Sequence, residues 1–114
     1  MEKIATFEKV SFEIFLNDRI KAGASQDEAS AIYKEWEAIR LPERATVGSA
    51  GYDFFLPMGC CLGKQWMLIP TGVRVNIEPG WFMMCCPKSG LGFKYRMKLA
   101  NTIGVVDAKE NWRL

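Results

Sequence analysis

The chain has 114 residues, 49% hydrophobic and 25% charged, which is the length and composition of one folded domain and excludes a disordered polar chain. Its formal net charge is +2, and no run of Lys or Arg makes the continuous basic surface that duplex DNA or an anionic membrane requires. The opening M-E-K-I-A-T-F-E-K lacks the apolar centre of a signal peptide, and the longest apolar run, Trp81 to Pro87, is too short to span a bilayer, so a cytoplasmic protein without membrane or nucleic-acid partners is expected.

Ile4 to Val10 suits a short strand. Ser11 is placed to cap a helix carrying Phe12, Phe15, Leu16 and Ile20 on one face, with Gly23 as its stop. Ser25-Gln26-Asp27-Glu28 is a capping box, in which serine and glutamate satisfy free N–H groups at a second helix start. Ala29, Ile32, Tyr33, Trp36 and Ile39 continue at helical spacing, as a face packed on the domain or offered to a partner. Residues 1–40 therefore read as a strand-and-helix extension, and 41–114 as a β domain.

From Leu41 the period changes to short apolar runs punctuated by Gly, Pro and Asn. Strands are expected at Gly51 to Leu56, Trp66 to Ile69, Gly72 to Ile77, Trp81 to Cys86, Met97 to Ala100 and Gly104 to Val106. Val73, Val75 and Ile77 alternate with Arg74 and Asn76, which suits one buried face. Glu78-Pro79-Gly80 reads as a turn. Trp81 to Cys86 is continuously apolar and is expected to be covered on both faces. Strands this short and frequent point to a mainly β sandwich, jelly roll or small barrel beside a pair of short N-terminal helices.

The cysteines form two adjacent pairs, Cys60-Cys61 and Cys85-Cys86. Neighbours on a strand point to opposite faces, which suits small core thiols better than a zinc site. There is no histidine, so a general base must be a carboxylate or, failing that, Lys, Cys or Tyr.

Three stretches carry chemistry. In Gly48-Ser49-Ala50-Gly51-Tyr52-Asp53-Phe54-Phe55, alternation separates Asp53 from Tyr52 and Phe54, leaving either a strand-edge acid or a carboxylate that holds a metal-bound water. Pro87-Lys88-Ser89-Gly90-Leu91-Gly92 is either an ordinary turn or a phosphate cradle of glycine-opened N–H groups, a hydroxyl and a cation, without Walker A spacing. Asn101-Thr102-Ile103-Gly104-Val105-Val106-Asp107 delivers an acid at the end of an apolar run, as a rigid general base would need.

In order and spacing these stretches resemble the first three motifs of the trimeric dUTPases, the deoxyuridine triphosphate nucleotidohydrolases, over roughly residues 41 to 108. Leu41-Pro42-Glu43-Arg44-Ala45-Thr46 looks like the family's lead-in, and the helical N-terminus looks like phage and Gram-positive bacterial members. The resemblance implies a distorted jelly roll, or β-clip, assembled as a homotrimer, and Mg²⁺-dependent hydrolysis of dUTP to dUMP and pyrophosphate. By position it makes Asp107 the acid that activates water, and Lys88, Ser89 and Gly90 the phosphate contacts. Asn101 and Gly104 become the uracil and deoxyribose hairpin, and Asp53 an acid that meets the metal through water. Each site of the family is shared, so Asp107 and Ser89 of one chain are expected to serve different sites.

The pattern departs after Ala108: Lys109 and Glu110 stand where the family has an acid and then a uracil-stacking tyrosine, and Lys88 replaces an arginine. Lys109 to Leu114 reads as an abnormal ending that lacks the family's fourth motif, so the uncovered sheet edges are expected to need other chains or a rearranged C-terminus. Two functions follow: a dUTP pyrophosphatase, intact or impaired, or a non-catalytic nucleotide- or protein-binding relative that acts as decoy or regulator.

Overall fold

The computed structural model describes residues 3–58, 67–88, 90, 98–100, 103–108 and 112–114. Its elements are β1 (Ala5–Lys9), α1 (Phe12–Lys21), a 3₁₀ turn (Gln26–Glu28), α2 (Ala29–Glu37), β2 (Val73–Ile77), β3 (Phe82–Cys85), β4 (Gly104–Asp107) and β5 (Trp112–Arg113). They make a three-stranded sheet of order β1-β2-β5 and a two-stranded sheet of β3 and β4. No helix among the described residues is long and apolar enough to cross a membrane.

The chain divides into two compact units, one formed by Met1–Thr6 and Asn76–Trp112, the other by Phe7–Val75 and Arg113–Leu114.

The second unit holds the helices. Ser11 caps α1 by accepting the Ile14 N–H, and α1 closes in a Schellman turn: Gly23 takes φ 116° while the Gly23 and Ala24 N–H groups donate to Ile20 and Arg19 carbonyls. The expected capping box is present, with Ser25 Oγ accepting the Asp27 N–H and Glu28 Oε1 accepting the Ser25 N–H. It opens a turn of 3₁₀ helix before α2. Val10, Phe15 and Ile32 form a buried cluster, against which Phe12, Leu16, Trp36 and Ile39 pack. Each such fully buried side chain contributes about 1.5–3 kcal/mol. Arg19 is buried beside it and pairs with Glu35 of α2. Trp36 Nε1–H donates to the Val10 carbonyl at 2.8 Å, tying α2 to the end of β1.

β2 is as its alternation requires: Val73, Val75 and Ile77 are buried, while Arg74 and Asn76 are not. Gly72 immediately precedes the strand, and its carbonyl accepts the Val10 N–H at 2.9 Å. Leu114 also joins this region, its N–H donating to the Val73 carbonyl and its carbonyl accepting from the Thr71 N–H and Oγ1–H.

In the first unit, Trp81 N–H donates to the Glu78 carbonyl and Gly80 takes φ 90°, which makes Glu78–Trp81 a type II turn with Pro79 and Gly80 at its centre. β3 and β4 then pair antiparallel, Phe82 with Asp107, Met83 with Val106, Met84 with Val105 and Cys85 with Gly104.

Four strand expectations differ from the structure. Gly51 to Leu56 is reduced to an isolated antiparallel bridge between Asp53 and Glu43. The partner segment bends away at once into a turn, where Ser49 N–H donates to the Thr46 carbonyl and Thr46 N–H to Ser49 Oγ. Trp66 and Met97 lie outside the described residues, and neither 67–69 nor 98–100 is strand. Finally, β3 is not covered on both faces: Phe82 and Met84 are 58% and 54% exposed, while Met83 and Cys85 are half-buried. Among the described residues β3 has only β4 beside it, and nothing lies over the Phe82–Met84 side.

Candidate functional site

The β3–β4 register fixes the candidate residues of the first unit. Gly104 stands opposite Cys85, the last residue of β3, so Pro87, Lys88 and Gly90 leave the ladder at the end where β4 enters. Asp107 stands at the other end, opposite Phe82. Three residues separate these ends, or about 10 Å at the usual rise per residue. The ladder therefore sets Gly104 at the end from which 86–88 continue, and Asp107 at the other end.

Asp107 is exposed, and among the described residues its carboxylate has no ion-pair partner. It is thus held by a paired backbone while its oxygens remain available to water. Lys88 and Gly90 are exposed and Gly104 is half-buried. Ser89 and Asn101 lie outside the described residues. Cys85 and Cys86 are free thiols at the loop's root, and burial, then the neighbouring Cys86, pushes the Cys85 thiol up from its ordinary value.

Asp53 lies in the second unit. Its N–H donates to the Glu43 carbonyl at 2.8 Å and its carbonyl accepts the Glu43 N–H at 3.2 Å. Tyr52 and Phe54 both set their rings against Phe7, at 5.7 and 5.6 Å between centroids, so the expected alternation around Asp53 holds. Glu43 has a place here that sequence reasoning did not give it. The bridge sets two acids directly opposite one another, a destabilising pair unless charge is supplied nearby. Arg40 supplies it to Glu43 at 2.7 Å while its guanidinium covers the Phe55 ring at 3.8 Å. The signal that would have found Glu43 is the Thr46–Ser49 turn, which folds the lead-in back along Asp53.

Among the described residues no three His, Cys, Asp or Glu side chains converge to hold a metal ion directly. A half-buried carboxylate such as that of Asp53 suits a hard cation that keeps most of its water shell, as Mg²⁺ does. The zinc alternative for the cysteines involves Cys60 and Cys61, which lie outside the described residues. An open groove of about 350 Å³ beside Ile39, Arg40, Phe55 and Met58 contains none of the sequence-predicted site residues.

No protein-family model matches the chain. Curated proteins do. The deoxyuridine 5'-triphosphate nucleotidohydrolase of Pseudomonas paraeruginosa is 43% identical over 72 residues, which are 60% of this chain and 48% of that protein. The protein of the same name from Dinoroseobacter shibae is 39% identical over 80 residues, 63% of this chain and 52% of that one. That from Paraburkholderia phymatum is 35% identical over 77 residues, 60% and 49% of the two chains. The chain is thus similar to proteins named deoxyuridine 5'-triphosphate nucleotidohydrolase over 60–63% of its own length. It spans about half the length of the curated dUTPases it matches. Two helices with short antiparallel strands are consistent with the mainly β fold of the dUTPases.

Proposed function

We propose that this chain is a subunit of a Mg²⁺-dependent dUTP pyrophosphatase, a homotrimer of distorted jelly rolls that hydrolyses dUTP to dUMP and pyrophosphate. The observation that carries this reading is the 35–43% identity to proteins named for that hydrolysis. A shared site fits the β3–β4 register, in which Cys85, the residue from which the chain runs on to Lys88, and Asp107 stand at opposite ends of the ladder. Residues 41–114 make the nucleotide domain in this reading, and 1–40 its extension.

In the reaction, the Asp107 carboxylate of one copy takes a proton from a water whose oxygen bonds to the α-phosphorus. The bond from that phosphorus to the bridging oxygen breaks, and pyrophosphate leaves. A base so placed contributes roughly 10²–10⁴-fold. From another copy, Lys88 Nζ, Ser89 Oγ and the Gly90 N–H hold the phosphates, with Lys88 acting as a point charge rather than a planar fork. Asn101 and Gly104 present backbone groups to uracil and deoxyribose. Asp53 would hold Mg²⁺ through water, and the ion would supply positive charge to the triphosphate. Orientation of water and phosphate is the larger part of what the chain provides.

The second reading, a nucleotide- or protein-binding relative without turnover, draws on one observation: Glu110 stands where the family's stacking tyrosine is expected. The separating experiment is pyrophosphate release from dUTP with Mg²⁺, against dTTP, dCTP and UTP, with Asp107→Asn as the control. Selective release that falls at least a hundredfold in Asp107→Asn, while dUTP binding persists, is the expected result. Binding without release in the folded wild-type protein would favour the second reading.

A further inference from the structure

We propose that Phe82 is a positioning residue for Asp107: its ring is the cross-strand wall that keeps the carboxylate without an internal partner and aimed at what covers this face. The inference rests on the hydrolase reading above.

Phe82 and Asp107 are directly opposite on the antiparallel ladder. Directly opposite residues share a face, with Cβ atoms about 4.5–5.5 Å apart. Both are exposed, as are Met84 and Val105, the next pair on the same side. The acid therefore springs from the corner of an open apolar strip, with an aromatic ring beside it and a thioether side chain diagonally across.

None of these neighbours donates a hydrogen bond or carries charge, and the carboxylate has no ion-pair partner among the described residues. When nucleotide or another copy covers the strip, water is displaced from one side of the carboxylate. Its remaining acceptor capacity is then directed to the bound water that is to be deprotonated. A polar or cationic residue at position 82 would instead offer the acid a partner of its own. A small residue there would let it rotate and hydrate freely.

Eight proteins test this: wild type, Phe82→Ala, Phe82→Leu and Phe82→Lys, each with Asp107 and with Asp107→Asn. Pyrophosphate release from dUTP and thermal melting are read for all. In the Asp107 background, Phe82→Ala is expected to lower kcat roughly 10–100-fold with little change in KM, as a loss of aim does. Phe82→Leu restores most of that loss. Phe82→Lys melts higher than Phe82→Ala, because it gains a cross-strand ion pair, yet turns over more slowly. That gain in melting temperature disappears in the Asp107→Asn background.

Rates that follow melting temperature across the series, or variants that all match wild type in kcat, would overturn the inference. Equal melting gains with and without the Asp107 carboxylate would overturn it too, since the two side chains would not be neighbours. If the variants show the melting coupling but wild type shows no Asp107-dependent release, the hydrolase reading itself fails and takes the positioning role of Phe82 with it. That outcome is distinguished from the others by the wild-type rate alone.

Discussion

Replacing Gly72 by alanine tests how β2 is joined to the helical core. Gly72 takes φ +74°, a left-handed conformation that costs a residue with a side chain about 1–2 kcal/mol. A Cβ there would overlap Ile39 Cδ1, and would lie 3.2 and 3.3 Å from Phe15 Cδ1 and Cε1. The Ile39 methyl is the far end of a flexible side chain and can swing away. The Phe15 ring is fully buried and must shift with its neighbours. Overpacking of this kind costs about 1–3 kcal/mol, so the sum is about 2–5 kcal/mol. That is a large share of the ~5–15 kcal/mol that holds a typical domain together. Urea unfolding followed by circular dichroism measures it, and a lower midpoint with an unchanged slope is expected. Adding Ile39→Ala removes one overlap but leaves the backbone strain, so the double variant should lose less than the sum of the two single losses. A Gly72→Ala loss below about 1 kcal/mol would refute the reasoning, because the backbone conformation alone accounts for more.

Trp36→Phe keeps most of the apolar contact but leaves the Val10 carbonyl without the indole donor, and should cost about 0.5–1.5 kcal/mol in thermal or urea unfolding. Ser25→Ala removes the capping oxygen before α2, with an expected loss of about 0.5–2 kcal/mol and reduced helical ellipticity on partial denaturation. Of the two free thiols, exposed Cys86 should react with iodoacetamide first near neutral pH, as peptide mass spectrometry would record. The raised Cys85 value makes a stability contribution that is complete below the ordinary thiol value of 9.0 and is lost as pH climbs through the raised one. Melting temperature plotted against pH should therefore fall less steeply on the alkaline side in Cys85→Ala than in wild type.

The elements legible in the sequence are those with local causes. Ser11, Gly23 and the Ser25–Glu28 box each act within a few residues of themselves, and each does in the structure what its residue type prescribes. The Val73, Val75 and Ile77 alternation likewise names the buried face of β2 without reference to what buries it. Gly51 to Leu56 misled because its composition suits a strand, but pairing also needs a partner segment, and that segment turns off at Thr46. Trp81 to Cys86 misled for a related reason. A run of apolar residues reports the capacity to be covered on both faces, whereas the described neighbours cover one.

The same division holds for the candidate site. The sequence by itself determined the chemistry on offer: a carboxylate at Asp107, a cation and glycine at Lys88 and Gly90, an acid among aromatics at Asp53, and no histidine to serve as base. It also carried the likeness to curated dUTPases, since motif order survives without knowledge of contacts. Only the tertiary structure decided that Phe82 faces Asp107, that Gly104 faces Cys85 at the other end of the ladder, and that Glu43 stands opposite Asp53. The physical reason is that side-chain periodicity fixes which residues of one strand share a face, while register against a second strand is set by contacts between residues far apart in the chain.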